Sequence, residues 1–145
     1  NNMQESLISF ETAKLAKEKG FDIPCLNFYT NPKCKMFGID EEGRYYSMKN
    51  KANSLWVSDN AATLDSKHVY YTPTQSLLQK WLRDVHKIFV SPRESWGFDD
   101  TLAYVCEVNG KFASHNIQDK PFNRFDTYEE ALEEGLKLGL SLINV

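Results

Sequence analysis

The sequence lacks the residue patterns that most catalytic and ligand-binding sites require. Its seven glycines are scattered and form no phosphate-binding loop. It has neither a Gly-x-Ser-x-Gly turn nor a His-Glu-x-x-His zinc pair. Its three cysteines are an odd number, which does not suggest a secreted disulfide framework, and their spacing fits no common zinc site. We therefore expect a protein that is not an enzyme and that holds neither a metal nor a cofactor.

Blocks of basic residues and long apolar runs are missing as well. The chain has 17 basic and 20 acidic residues, a formal net charge of −3, and its basic residues occur only in short groups. A nucleic-acid binder with this charge would need a local basic face. No stretch approaches the ~18 apolar residues of a membrane span, and no apolar run opens the chain. We expect a cytoplasmic protein whose partner is another protein, not nucleic acid or membrane; the oligomeric state stays open.

The residues that are present favour a globular chain. It has 145 residues, of which 41% are hydrophobic and 13% aromatic, too apolar a composition for a disordered chain. A chain of this length can bury a sizeable core without disulfides or metals. We predict a single domain over residues 1 to 145.

The clearest helix signals lie in the middle of the chain. Thr72 is the predicted N-cap, Pro73 the first helical residue and Gln75 the third, which makes a capping box. The apolar stripe that follows has helical spacing and consists of Leu77, Leu78, Trp81, Leu82 and Val85. We expect this stripe to face the core, with Leu78, Trp81 and Leu82 nearly fully buried.

Two further helices are predicted near the ends of the chain. The first runs from about Ser6 to Lys19, is capped by Ser6 or Ser9, and ends at Gly20. The last runs from about Thr127 to Ile143 behind one of two capping boxes, Asp126 with Glu129 or Thr127 with Glu130. Its predicted buried stripe is Tyr128, Ala131, Leu132, Gly135, Leu136, Gly139, Leu140 and Ile143. Two glycines on that stripe suggest a close approach to a sheet.

Short strands fill the spaces between these helices. The predicted strands are Leu26 to Tyr29, Lys35 to Ile39, Arg44 to Met48, His68 to Tyr71, Ile88 to Val90, Leu102 to Val108 and Lys111 to Ser114. Asn109-Gly110 is a strong hairpin signal, and turns or loops are expected at 40–43, 91–100 and 119–125. Residues 49–66 have no clear assignment. Consecutive strands bounded by helices predict an α+β fold with a largely antiparallel sheet and an α-β-β-β-α C-terminal half.

The predicted loop from Ser91 to Asp100 is the candidate binding site. Trp96 and Phe98 flank a glycine there, and Arg93 lies three residues before the tryptophan. Aromatic and arginine side chains are enriched at the centres of protein interfaces. Arg93, Trp96 and Phe98 are therefore the candidate contact residues. The alternative is that Trp96 packs on the sheet edge beneath its own loop.

A cysteine-dependent hydrolase is a more remote alternative. It would use Cys106 or Cys34 as the nucleophile together with one of the histidines. No local motif supports such a pair. A depressed thiol pKa would be the evidence for it.

Three segments of the chain carry a resemblance, namely Ser9–Phe21, Tyr71–Arg83 and Phe125–Leu136. In this order they resemble one family of small proteins encoded by Bacteroides-type gut bacteria and by phages and prophages. The stretch 49–67 lies outside the resemblance. The family brings no activity and no catalytic residues, so the resemblance implies a mobile-element origin and favours an accessory or interaction protein.

Two weaker resemblances concern the order of elements. Residues 73–143 read α-β-β-β-α, as in double-stranded-RNA-binding domains, but those domains need basic residues where this sequence has Glu129, Glu130, Glu133 and Glu134. The stretch from Asp126 to Ala131 is similar to the join between sheet and helix in HicB-type antitoxins. That similarity implies an antitoxin-like protein-binding module as the second hypothesis.

Overall fold

The computed structural model describes residues 5–30, 35–39, 45–47, 56–58, 69–117 and 120–144. Within these residues the chain forms helices at both ends and in the middle, with short strands between them. In chain order the elements are α1 (Phe10–Glu18), β1 (Asn27–Thr30), β2 (Lys35–Ile39), β3 (Tyr45–Ser47), β4 (Trp56–Ser58), β5 (Val69–Tyr71), α2 (Gln75–His86), β6 (Val90–Trp96), β7 (Leu102–Val108), β8 (Lys111–Phe112), β9 (His115–Ile117), β10 (Lys120–Phe122) and α3 (Tyr128–Ser141).

The fold is α+β, as predicted, and its strand pairs are antiparallel. One sheet has the order β4-β3-β2-β1-β5, a second has the order β6-β7-β8, and β9 pairs with β10. Helix α1 contacts β5, while α3 contacts β6, β7 and α2. The C-terminal half has the predicted order α2-β6-β7-β8-α3, with the β9–β10 hairpin inserted before the last helix.

Internal contacts divide the chain into two compact units. The N-terminal unit is Leu7–Pro73, and the C-terminal unit combines Asn1–Ser6 with Thr74–Val145. The single domain expected over residues 1 to 145 stays a prediction. The predicted turn at 40–43 lies outside the described residues. So does the unassigned stretch 49–66, apart from β4.

The first helix of the N-terminal unit begins and ends through local hydrogen bonds. Of the two predicted caps, Ser9 is the one used, and its hydroxyl accepts a bond from the Thr12 amide at 3.2 Å. Gly20 has a φ of +98°, and the amide of Phe21 donates to the carbonyl of Ala16 at 2.9 Å. These are the features of a Schellman ending, and glycine is favoured at its left-handed position because it has no Cβ.

The sheet of the N-terminal unit is joined to α1 by Lys17 and an aromatic cluster. The Lys17 ammonium donates to the carbonyl of Val69 at 2.8 Å and lies 4.8 Å from the centre of the Tyr70 ring. Phe10 meets the rings of Tyr29 and Tyr70 edge-on, each at 5.4 Å. These contacts fix α1 over strands β1 and β5.

Helix α2 begins later than predicted. Its N-cap is Thr74, whose hydroxyl accepts from the Leu77 amide at 3.2 Å, so the predicted cap at Thr72 is wrong. Thr72 still belongs to the strand region, because its amide donates to the Asn27 carbonyl and its hydroxyl donates to the Tyr70 carbonyl. Gln75 opens the helix instead of closing a capping box.

The buried face of α2 is confirmed at Leu78, Trp81 and Leu82, whereas Leu77 is half-buried. Leu78 and Leu82 are fully buried and Trp81 is 8% exposed. Val85, predicted on the same stripe, is 59% exposed and is wrong as a core residue. It lies in the last turn of the helix, just before Lys87 adopts a left-handed conformation and ends it.

Helix α3 packs closely on the second sheet through its two glycines. Thr127 is its N-cap, so of the two predicted capping boxes only the one led by Thr127 supplies the cap. A Cβ added at Gly135 would overlap the sulfur of Cys106, and one at Gly139 would press on Leu82, Ile88 and Val90 at 3.2–3.3 Å. The predicted close approach is therefore confirmed. Tyr128 is 43% exposed and is wrong as a buried residue.

Candidate functional site at the tip of the β6–β7 hairpin

The predicted loop from Ser91 to Asp100 is mostly a strand. Val90–Trp96 pairs with Leu102–Val108 without interruption, from Val90 opposite Val108 to Trp96 opposite Leu102. Pro92 suggested a loop, but β6 is an edge strand of its sheet, and an edge strand tolerates a proline. The loop assignment for Ser91–Trp96 was therefore wrong. The predicted loop at 119–125 was wrong in the same way for β10, whose bounds are Lys120–Phe122.

The turn that joins the two strands is held by its own residues. The amide of Gly97 donates to the carbonyl of Thr101 at 2.8 Å, and the Thr101 hydroxyl donates to the Asp99 carboxylate at 2.7 Å. This hydroxyl, together with backbone amides, lowers the pKa of Asp99. Asp100 has a φ of 60°, a left-handed conformation that Asp and Asn adopt more readily than most residues. The tip of the hairpin is therefore ordered and negatively charged.

Strand geometry separates two of the three candidate site residues. Side chains alternate between the two faces of a strand, so Arg93 and Trp96 point to opposite faces of the sheet. Cys106 and Val90 lie on the face that α3 covers, because both meet Gly135. Trp96 shares that face by alternation, whereas Arg93 lies on the other. The structure therefore does not bring the Arg93 side chain together with the Trp96 ring.

Arg93 has partners of its own on the outer face. Its guanidinium lies 3.4 Å from the Glu107 carboxylate and 5.6 Å from the centre of the Phe112 ring. Both partners are on strands that neighbour each other in the same sheet. An exposed ion pair and a cation–π contact of this kind stabilise local structure modestly.

Trp96 and Phe98 are exposed, and two neighbouring side chains extend the apolar area. Trp96 is 63% exposed, Leu102 and Tyr128 are a little over 40% exposed, and Phe98 is fully exposed. Tyr128 is the first residue of α3, and its ring meets the Tyr104 ring edge-on at 6.2 Å. Tyr104 is two residues after Leu102 on β7, and Leu102 lies opposite Trp96. Trp96 is thus not packed beneath its turn. We call the set Trp96, Phe98, Leu102 and Tyr128 the hairpin-tip surface.

Arg124 is a residue at this end of the sheet that the sequence patterns missed. It lines an open depression of about 560 Å3 together with Ser95, Trp96, Gly97, Phe98, Asp99 and Thr101. Its guanidinium donates to the carbonyl of Ser95 at 3.2 Å. The following residue, Phe125, exchanges two backbone hydrogen bonds with Tyr104, and this pairing places Arg124 beside the hairpin. No local motif near 124 signals that long-range pairing.

The cysteines described by the structure do not have the environment of a nucleophile. Cys106 is fully buried under α3, and burial raises the pKa of its thiol to about 11. Burial also raises the pKa of Cys25 to about 11. A reactive cysteine needs an accessible thiolate at neutral pH, and Cys106 meets neither condition. Cys34, the other proposed nucleophile, lies outside the described residues.

A metal site or a membrane span would show in the arrangement of the residues that the structure describes. Among these residues no group of His, Cys, Asp and Glu side chains has the arrangement of a metal site. No helix described by the structure is both long and apolar enough to cross a membrane.

Comparison of the chain with protein-family models, with curated proteins and with solved structures gave no match.

Proposed function

We propose that this chain is a non-enzymatic accessory protein of phage or mobile-element origin that acts in the cytoplasm by binding another protein. The observation that carries this proposal is the hairpin-tip surface. Trp96 is 63% exposed at the end of a seven-residue strand pairing, with Phe98 fully exposed beside it. An exposed tryptophan on a rigid hairpin combines a large apolar area with little side-chain entropy to lose on binding.

Removing the two aromatic side chains of the tip should impair binding without unfolding the protein. The double variant Trp96→Ala/Phe98→Ala should retain at least tenfold less partner from host lysate, because truncating a hot-spot side chain costs ~2 kcal/mol or more and about 1.4 kcal/mol is already tenfold in affinity. Its free energy of unfolding should stay within ~0.5 kcal/mol of wild type, since both side chains are exposed. Quantitative capture on immobilised protein and denaturant unfolding measure the two effects.

The matched control is Phe89→Ala. Phe89 is 50% exposed and lies between α2 and β6, away from the turn of the hairpin. Its removal should leave capture unchanged. Equal capture by wild type and the Trp96→Ala/Phe98→Ala variant would refute the proposed function.

An antitoxin-like binding module is the second candidate. The order α2-β6-β7-β8-α3 and the start of α3 at its Thr127 cap, soon after the strands, support it. A neighbouring gene that encodes a small basic toxin, and co-purification of its product with this chain, would favour this candidate over a general accessory protein.

The domain is expected not to bind duplex RNA or DNA at physiological salt. The exposed acids Glu129 and Glu130 occupy the first turn of α3, and the chain carries a net charge of −3. Phosphate contacts require basic side chains and give an affinity that falls steeply with added salt. Fluorescence anisotropy with labelled duplexes at increasing salt measures this. Submicromolar binding with a steep salt slope would contradict the expectation.

A further inference from the structure

The charges around the hairpin-tip surface have predominantly one sign. The segments that form this end of the sheet, residues 94–104 and 123–130, contain six carboxylates and one arginine, a formal net charge of −5. The whole chain has a net charge of only −3, so the excess negative charge is concentrated here. The carboxylates are Glu94, Asp99, Asp100, Asp126, Glu129 and Glu130, and all six residues are exposed.

The single arginine of these segments lines the depression with Trp96 and Phe98 and offsets one of the six negative charges. Arg124 donates to the Ser95 carbonyl, and its charge acts on Asp99. Arg93, the nearest base in the sequence, is on the opposite face and pairs with Glu107. The Asp99 carboxyl is ionised at neutral pH, as an aspartate ordinarily is, and the Thr101 hydroxyl lowers its pKa further. Asp99 lines the same depression as Trp96 and Phe98. The other carboxylates lie along the two segments named above.

The edge of β6 is a poor template for adding a partner strand over its whole length. The amide of Gln79 donates to the Val90 carbonyl at 2.6 Å, which occupies the beginning of the edge. Pro92 has no amide proton to offer, and blocking groups of this kind are how proteins protect an edge strand. Side chains at the tip, rather than the strand edge, therefore remain for recognition.

We infer that the hairpin-tip surface binds a basic segment of a partner protein, one that carries lysine or arginine between apolar side chains. This inference rests on the proposed function and specifies the partner. The apolar side chains of the segment cover Trp96 and Phe98, and its cations meet the surrounding carboxylates. A lysine or arginine can also lie over an aromatic ring. Complementary charge of this kind accelerates association and rejects acidic partners.

Three short peptides test the partner class by calorimetric titration of the full chain. In them leucine alternates with lysine, with glutamine or with glutamate. The lysine peptide should bind about tenfold more tightly than the glutamine peptide at low ionic strength, because several exposed ion pairs of ~0.2–1 kcal/mol each contribute. The glutamate peptide should not bind. The preference for lysine should shrink toward physiological salt, where the Debye length falls to ~8 Å.

A charge-neutralising variant with a matched control assigns the binding to this surface. Glu94→Gln/Asp100→Asn removes two carboxylates of the tip, and asparagine suits the left-handed conformation at position 100. The lysine peptide should bind this variant about five- to tenfold more weakly. Glu18→Gln/Asp22→Asn removes the same charge from exposed positions of the N-terminal unit and should leave binding unchanged.

The outcomes separate this inference from the proposed function. Binding that depends on Trp96 but is equal for the lysine and glutamine peptides would overturn the basic partner class, while the surface would remain a protein-binding site. Equal weakening by the two charge variants would also overturn it, since the attraction would then be to net charge alone. Self-association that is lost in Trp96→Ala would assign the surface to a second copy of the chain. Unchanged partner capture by Trp96→Ala/Phe98→Ala refutes the proposed function itself.

Discussion

Replacing Trp81 with alanine is expected to lower the free energy of unfolding by about 3–5 kcal/mol, the usual cost of removing a buried tryptophan. Trp81 lies on the buried face of α2 between Leu78 and Leu82, which are both fully buried. Its ring meets the His86 ring edge-on at 4.7 Å. The substitution removes buried apolar area and leaves a cavity in the core. The residues around the cavity relax only in part, so the cavity does not close.

The same substitution at Trp96 is the internal control, because the two tryptophans differ in burial. Trp81 is 8% exposed and Trp96 is 63% exposed. Denaturant unfolding should show a clear decrease for Trp81→Ala and a change within ~0.5 kcal/mol for Trp96→Ala. An unchanged unfolding midpoint for Trp81→Ala would remove α2 from the core. A large decrease for Trp96→Ala would mean that the hairpin tip is part of the packed structure.

Helices were the most predictable part of the fold because their signals are local. The sequence predicts Ser9 and Thr127 as possible caps, and each accepts a hydrogen bond from the amide three residues ahead. Gly20 ends α1 at a positive φ. The error at α2 has a physical cause too. Thr72 and Thr74 are both good caps, and the choice depends on the pairing of the preceding strand with Asn27, which is a long-range contact.

The candidate site was predictable only in part because strand pairing is not local. Residues 91–95 are polar and include a proline, a pattern that predicts a loop. Their pairing with β7 nevertheless makes them part of an edge strand. That pairing decides that Arg93 and Trp96 point to opposite faces. A separate pairing, of Phe125 with Tyr104, brings Arg124 to the hairpin from a segment far along the chain. The aromatic content of the tip was visible in the sequence, but the distribution of charge around it was not.

Gly135→Ala is expected to destabilise the C-terminal unit by about 2 kcal/mol, although alanine is the better helix former. In an open helix position the exchange would stabilise by up to ~1 kcal/mol. Here the new Cβ would overlap the sulfur of Cys106 and lie 3.0 Å from Val90. Both neighbours are buried under α3 and have little room to move. Overpacking of this kind typically costs ~1–3 kcal/mol, occasionally more, so the steric cost exceeds the gain in helix propensity.

A second substitution tests whether the sulfur is the cause. Cys106→Ala removes it, so the double variant Gly135→Ala/Cys106→Ala should be more stable than the sum of the single effects predicts, by about 1 kcal/mol or more. Relief should be partial, because the Cys106 Cβ remains 3.2 Å from the new methyl group. Gly139→Ala is the control, since its Cβ would meet only side-chain ends at 3.2–3.3 Å and should cost less. Strict additivity of Gly135→Ala and Cys106→Ala in the thermal and denaturant unfolding of the double variant would show that α3 does not approach β7 at Cys106 as closely as the structure places it.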